Sequence, residues 1–429
     1  MAILLLFGVF FLLLIFGVPI GTSIGIAAVL AIWKYHLGLD MLSRNFAAGI
    51  AKFPLIAIPF FVLAGIIMEK AKLAKKIADL ATLIVGKATG GLAIAAIVTA
   101  MFWGAVSGSG PATTAAIGLI LITPMVAQGY SPYFAATTIA AASGLAIVIP
   151  PSIAFIIYGN VTGVSVGALF LGGIIPGIII GLSLIGGAYY VSKKRNYHGT
   201  TRRGSLKEIL IALKDAFWAL LAPVIILGGI YAGVATPTEA AVIAVFYSLF
   251  VGFFVYKTLD LKSLYEALVN TAVTSSVVMF VVTFAGIFSW AAATLGVIDT
   301  SARFIVSVSK SPIVVLLLTD LVVIIAGMFL DAISITYVFM PILMPVLAHF
   351  HIDPLFFGVI FVVALAIGQI TPPVAVNLYV AANLIKSSLD RLSKEVWIYV
   401  IAAVIGLIVL TFFPQISLWI PVKAGLYVP

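Results

Sequence analysis

Ile149-Pro150-Pro151-Ser152 interrupts one long apolar run, and Ile370-Thr371-Pro372-Pro373 interrupts another about 221 residues further along the chain. At nearly the same offset Ala64-Gly65-Ile66 recurs as Ala285-Gly286-Ile287, Pro124 as Pro345 and Pro132 as Pro354. The match is gapped, because Pro19 pairs with Pro237 only at an offset of about 218, and the agreement of several separated anchors carries it. Two similar hydrophobic halves, each broken by proline and glycine at matching depth, are the sequence signature of a secondary transporter. The halves are inverted if an odd number of crossings separates equivalent points, and the pattern alone leaves that parity open.

Composition excludes most other classes. Of 429 residues, 63% are hydrophobic and only 9% charged, against about 25% charged in a soluble domain. A soluble core of this composition would expose aggregating apolar patches, and lipid is the solvent that removes the problem. The formal charge of +9 is not a nucleic-acid footprint, because Lys and Arg sit in short breaks between apolar runs, where they suit topology determination and contact with anionic lipid. With no cysteine there is no disulfide framework, thiol nucleophile or thiolate metal site. The run from Met1 to about Trp33 lacks a basic leader and a small-residue cleavage site, so it reads as a retained helix.

Apolar segments are expected near residues 3–31, 54–68, 90–106, 112–127, 133–149, 152–158 and 167–191, with an amphipathic stretch from Gly38 to Ile50. The second half supplies 216–234, 238–256, 267–295, 311–328, 332–348, 355–370, 374–384 and 396–413. A spanning helix needs about 20 apolar residues, so the short segments read as halves of hairpins or broken helices, giving roughly eleven spans plus two re-entrant hairpins. The organisation expected is a first membrane repeat over 1–192, a basic connecting segment over 193–214 and a second repeat over 215–429. Lys193-Lys194-Arg195, Arg202-Arg203 and Lys207 make the connecting segment cytoplasmic, and Glu69 to Lys76, with four lysines, reads as another cytoplasmic turn.

The chemistry is expected where the helices break. Ser107-Gly108-Ser109-Gly110-Pro111, followed by Thr113 and Thr114, lets hydroxyls and backbone carbonyls converge. Such oxygens hold hard cations, and irregular backbone at membrane depth is tolerated only where it is buried or lines a cavity. Close helix packing is the competing reading of small residues. Pro150 and Pro151 remove intrahelical donors before Ser152, and Gly368-Gln369-Ile370-Thr371-Pro372-Pro373 does the same, with Asn377 one turn further on. Gln369 and Thr371 can ligate a cation, and the opened turns expose amides that favour an anionic group. A kink is the plainer reading of either proline pair alone. Asp331, after Ala326-Gly327-Met328-Phe329-Leu330, is a costly carboxylate in an apolar setting that either serves an ion site, carries a proton or caps the next helix. Asp320 and Glu239 raise the same question, Glu239 at the plausible helix start Thr236-Pro237-Thr238; His349 and His351 read as loop residues.

These residues carry a resemblance. Ser107-Gly108-Ser109-Gly110, Ile149-Pro150-Pro151-Ser152, Gly327-Met328-Phe329-Leu330-Asp331 and Thr371-Pro372-Pro373 followed by Asn377-Leu378 make the chain similar to the DctM family, the large membrane subunits of tripartite ATP-independent periplasmic (TRAP) transporters. The resemblance runs over essentially the whole length. It implies an all-α polytopic membrane protein with two inverted structural repeats, re-entrant hairpins and unwound helices, divided into a scaffold and an elevator-type transport domain. It implies sodium-coupled uptake, across the bacterial inner membrane, of a carboxylate of the sialic acid or C4-dicarboxylate type. Sodium is the coupling ion, with Ser107, Ser109, Gly327 and Thr371 as its expected ligands, and no cofactor is expected. The partners implied are a small four-helix membrane subunit, a periplasmic solute-binding protein and membrane lipid. The first helix begins almost at Met1, so the small subunit is expected on a separate chain. A stand-alone ion-coupled carboxylate carrier is the alternative; a channel fits the paired breaks poorly, and no nucleophile–base grouping marks an enzyme.

Overall fold

Proline writes many of the helix boundaries in the computed structural model, which describes residues 1–199 and 204–429. Ser131-Pro132, Thr236-Pro237, Ser311-Pro312 and Asp353-Pro354 each start a helix, with proline at the first helical position where its missing N–H costs nothing. At two of these starts the preceding side chain also caps: Thr236 accepts from Glu239 N, which answers to the Thr236 backbone in a full capping box, and Asp353 accepts from Phe356 N at 2.8 Å. Glu239 is thus a cap, and His349 and His351 flank the turn that ends the preceding helix. Arg202-Arg203 of the basic connecting segment lie outside the described residues.

The first half runs α1 (Ala2–Ile15), α2 (Ile20–Lys34), α3 (Asp40–Ile50), α4 (Ala57–Lys70, preceded by a 3₁₀ turn), α5 (Leu73–Val85), α6 (Gly91–Ser107), α7 (Gly110–Ala127), α8 (Pro132–Ser143, ending in a 3₁₀ turn to Ile147), α9 (Ile153–Thr162) and α10 (Val166–Lys194). The second continues with α11 (Leu206–Tyr231), α12 (Pro237–Phe250), α13 (Leu261–Thr294), α14 (Val297–Val308), α15 (Pro312–Gly327), α16 (Ala332–His349), α17 (Pro354–Gly368), α18 (Val376–Leu384), α19 (Leu389–Glu395), α20 (Trp397–Phe412) and α21 (Gln415–Lys423). No strand occurs among the described residues.

The expected single span over 3–31 is instead two helices, because Pro19 cannot continue α1 and serves as the cap of α2. Among the described residues seven continuous helices are long and apolar enough to cross a membrane alone, or eight if the 51° bend between α19 and α20 is counted within one span. The remainder of the apolar sequence is divided into shorter helices such as α6, α9, α15 and α17.

Packing separates the helices into two groups. Helices α1, α2, α3, α4, α12 and α13 pack on one another, and α6, α7, α8, α10, α15, α17, α18 and α20 form the other group. The amphipathic α5 bridges α11 to α6, α14 lies on α13 and α16, α16 packs between α13 and α9, and the groups also meet where α4 touches α6. In the second group the backbones of α15 and α17 come unusually close: a Cβ built on Gly327 would lie 2.9 Å from the Gly368 Cα, an approach only glycine permits.

The two proline-broken helices run antiparallel. Arg391, on the α19 side of the second break, donates to the Tyr133 hydroxyl at the start of α8. At the opposite end Tyr158 of α9 donates to the Pro354 carbonyl at the start of α17, 2.7 Å away. Ion pairs then gather one face of the molecule: Lys70 with Glu266 at 2.7 Å, Lys76 with Asp215 at 3.8 Å, and Arg195 with Glu395 at 2.8 Å. These residues border the basic segment that the sequence reading assigns to the cytoplasm.

Candidate functional site

Two hairpin tips and two helix breaks meet at one place. The first tip forms because α6 stops at Ser107, Gly108 takes the left-handed conformation with φ 60°, and Ser109 is extended before Gly110-Pro111 opens α7. The Ser107 hydroxyl donates across this turn to the Ser109 carbonyl at 3.3 Å. A Cβ on Gly108 would sit 3.2 Å from the Pro151 carbonyl, so the tip rests on the first proline break. The second tip, Met328 to Leu330, is tied to the other break by the Ala375 amide donating to the Met328 carbonyl at 3.1 Å.

Between the tips lies a cavity of about 290 Å³. Ser107, Gly108, Ser109, Gly110, Asp331 and Gln369 line it, all of them sequence-predicted site residues. Gly110 touches both amide side chains of the second break: its Cβ position is 2.8 Å from Gln369 Oε1 and 2.8 Å from Asn377 Oδ1. Asn377 sits just behind this contact, its amide nitrogen donating to the Ala140 carbonyl at 3.4 Å. Gln369 Oε1, Asn377 Oδ1 and the Thr113 hydroxyl are buried without a hydrogen-bond partner. Buried oxygens left unpartnered are costly, and a cation is one group that satisfies them.

The other predicted residues stand behind the wall. Thr371 donates to the Ile367 carbonyl at 2.6 Å, and Ser152 donates to the Ile147 carbonyl at 2.5 Å while accepting from Phe155 N at the start of α9. Gly327 and Gly368 pack against each other, and the bonds Pro150-Pro151 and Pro372-Pro373 are both cis. Of the four residues expected to hold sodium, Ser107 and Ser109 face the cavity; Gly327 and Thr371 are not among its lining. Asp331 has both a capping and a cavity position: Oδ1 accepts from Ile333 N and Ser334 N at 2.9 and 3.0 Å, and Oδ2 from the Ser334 hydroxyl at 2.6 Å.

Four helix N-termini border the cavity: Gly110-Pro111-Ala112 of α7, Ile153-Ala154 of α9, Ala332-Ile333 of α16 and Val376 of α18. Ser152 and Asp331 cap α9 and α16, whereas α7 and α18 have no side-chain cap. Among the described residues no Lys, Arg or His lines the cavity, and the charged side chains there are Asp331 and Glu69. Positive potential there comes from backbone amides and not from side chains.

Sequence reasoning missed the facing wall, formed by Val62, Gly65 and Glu69 of α4 and Thr274 and Val278 of α13. The hydroxyl run Thr274-Ser275-Ser276 within an apolar helix was the available signal for α13. Glu69 was hidden in a segment dominated by lysines, and its exposed position puts the cavity mouth beside Lys70 and its ion pair with Glu266.

The all-helical fold, its many apolar helices and the helix breaks around this cavity define a polytopic membrane protein. The chain belongs to the family described as the tripartite ATP-independent periplasmic transporter, DctM component, which it matches over residues 7–416. It is 41% identical over 415 residues to the isethionate TRAP transporter permease protein DctMQ of Oleidesulfovibrio alaskensis, covering 96% of this chain and 65% of that relative. It is 34% identical over 441 residues to the C4-dicarboxylate TRAP transporter large permease protein DctM of Rhodobacter capsulatus, covering 99% of this chain and 100% of that one. The fold is similar to that of the YdaH transporter of Alcanivorax borkumensis, with a TM-score of 0.63 at 16% identity over 92% of this chain and 90% of that chain. The protein is a TRAP-type large permease and a multi-pass protein of the bacterial inner membrane.

Proposed function

We propose that the chain carries a small organic anion inward with sodium, binding both in the cavity between the hairpin tips. The observation that supports this best is the pairing of unpartnered amide oxygens with uncapped helix N-termini around a cavity that has no basic side chain among the described residues. Oxygens of Ser107, Ser109, Gln369 and Asn377 suit a hard monovalent cation, and the α7 and α18 amides suit a carboxylate. The carboxyl of Asp331 makes the cavity a poor seat for an anion alone, so cation and anion favour each other's binding. Obligatory coupling follows: a half-loaded site brings an uncompensated charge into low dielectric and stalls the crossing.

The antiparallel proline-broken helices support reading the halves as inverted repeats. The two packing groups support a scaffold containing α4 and α13 and a transport body, containing both breaks, that moves against it as an elevator. With Glu69 at its cytoplasmic mouth, the cavity corresponds to the inward-facing end of that movement.

A carboxylate of the C4-dicarboxylate or sialic acid type is the proposed cargo, with a sulfonate as the competitor suggested by the isethionate relative. The partners proposed are a small four-helix membrane subunit on a separate chain and a periplasmic solute-binding protein. The test is uptake into proteoliposomes holding the chain and the small subunit, with the binding protein added outside and an inward sodium gradient imposed. Accumulation that requires both sodium and the binding protein supports the reading. Uptake indifferent to the binding protein sinks it in favour of a stand-alone carrier.

A further inference from the structure

Away from the cavity, Asp320 lies on α15 about two turns before the second hairpin tip. It is 4% exposed, and its one polar partner is the Thr411 hydroxyl of α20, 3.0 Å from Oδ2. The helices packed on α15 supply no counter-charge. On α14, Asp299 and Arg303 form no ion pair with it; on α16, the Tyr337 hydroxyl accepts from Asn160 and His349 lies at the far end; α17 has no titratable residue; on α20, Tyr399 bonds to Thr138. None of the ion pairs among the described residues includes Asp320.

The hydroxyl of Thr411 has a single proton and two acceptors within reach, Asp320 Oδ2 and the Leu407 carbonyl at 2.9 Å. A carbonyl can only accept, whereas a carboxyl accepts when ionised and donates when protonated. If the hydroxyl donates to Leu407, Asp320 must itself donate for the 3.0 Å contact to be a hydrogen bond. If it donates to Asp320, a buried carboxylate is left with one neutral donor and no cation, which costs far more than burying the neutral acid. The protonated acid satisfies both contacts without burying an uncompensated charge.

We propose that Asp320 is a proton-binding site: a carboxylic acid that keeps its proton through the transport cycle and donates it to Thr411, tying α15 to α20. Because Asp320 is shut off from the cavity lining and from solvent, its proton is resident and not cargo. The tie makes the arm of the second hairpin move together with α20.

The test is infrared spectroscopy of the full chain in liposomes, read as the difference between wild type and Asp320→Asn, with sodium-driven uptake by the reconstituted complex measured alongside. The expected result is a protonated-carboxyl C=O band in wild type that persists across about pH 6 to 8, shifts in D₂O and is missing from the variant. Uptake by Asp320→Asn, which keeps a donor and removes the ionisable group, should stay within about twofold of wild type with an unchanged pH profile. Thr411→Val gives an independent reading: the band should remain and move to higher wavenumber as the acid loses its acceptor. Absence of the band, or its loss as pH rises, would overturn the assignment. Loss of uptake or a flattened pH profile in a well-folded Asp320→Asn would overturn the resident role and make the proton a coupling ion.

Discussion

Adding one methyl group at Gly110 tests the geometry of the cavity directly. In Gly110→Ala the new carbon would lie 2.8 Å from Gln369 Oε1, 2.8 Å from Asn377 Oδ1 and 2.9 Å from Asn377 Nδ2. Carbon–oxygen contacts settle at about 3.3 Å or more, so both amides must retreat by about 0.5 Å. Asn377 has little room, being fully buried and bonded to the Ala140 carbonyl, whereas Gln369 borders the cavity and can yield only by moving into it. Overpacking of this kind costs about 1–3 kcal/mol, which, if it falls on the loaded state, weakens ligand binding by between about 5- and 150-fold. Gly110 has an ordinary helical φ, so Ala there also restricts the unfolded chain, a gain of about 0.4–1 kcal/mol that offsets part of this cost to the folded protein. The assay is initial uptake rate against sodium concentration, with thermal unfolding of the same preparation. We expect a modestly lowered unfolding temperature with a strongly raised sodium requirement, whereas Gly186→Ala, on α10 with open space around it, should match wild type in both. A Gly110→Ala permease with wild-type sodium dependence would refute the placement of the two amides in the ion site.

Gly368→Ala should behave differently, because its Cβ would meet the Gly327 backbone at 2.6 Å and the Ile324 carbonyl at 2.8 Å; loss of folded protein in size-exclusion profiles is expected, not a selective transport defect. Asp331→Asn keeps an acceptor for the Ile333 and Ser334 amides, so unfolding temperature should hold while sodium affinity drops several-fold; Asp331→Ala should lose about 1 kcal/mol of helix stability as well. A wild-type sodium requirement in Asp331→Asn would leave the residue as a cap alone. At the exposed start of α13, hydrogen bonds from the Ser263 side chain and its N–H hold the Asp260 carboxyl below its ordinary range. Its folded value being the lower one, the stabilisation is present above the unfolded value and lost as pH falls through the folded one. Acid-induced loss of thermal stability should therefore be shallower in Asp260→Ala, and an unchanged pH curve would contradict the cap.

Much of this fold is legible in the residues because proline and glycine act locally. Pro132, Pro237, Pro312 and Pro354 mark helix starts, and Ser107 to Pro111 and Pro150-Pro151 mark breaks, whatever the rest of the chain does. The first half of the cavity wall was readable for the same reason. What was not readable depends on contacts between distant segments: that Gly110 reaches Gln369 and Asn377, or that α4 and α13 form the facing wall. Helix α14 escaped notice because its apolar residues cover only one face, so it lacks a continuous hydrophobic run. Asp331 drew three readings, an ion-site residue, a proton carrier and a cap, and its position fits the first and the last together, because a helix N-terminus aimed into a cavity places its cap on the cavity wall.

The central claim is that oxygens gathered by the two hairpins and the second proline break bind sodium. Calorimetric titration of the purified chain with sodium chloride, using potassium chloride as the control and Asn377→Ala and Gln369→Ala as comparisons, addresses it most directly. The account predicts saturable heat specific to sodium in the wild type, weakened by an order of magnitude or more in both variants. Heat that is absent in the wild type, equal for potassium, or undiminished in the variants would contradict it.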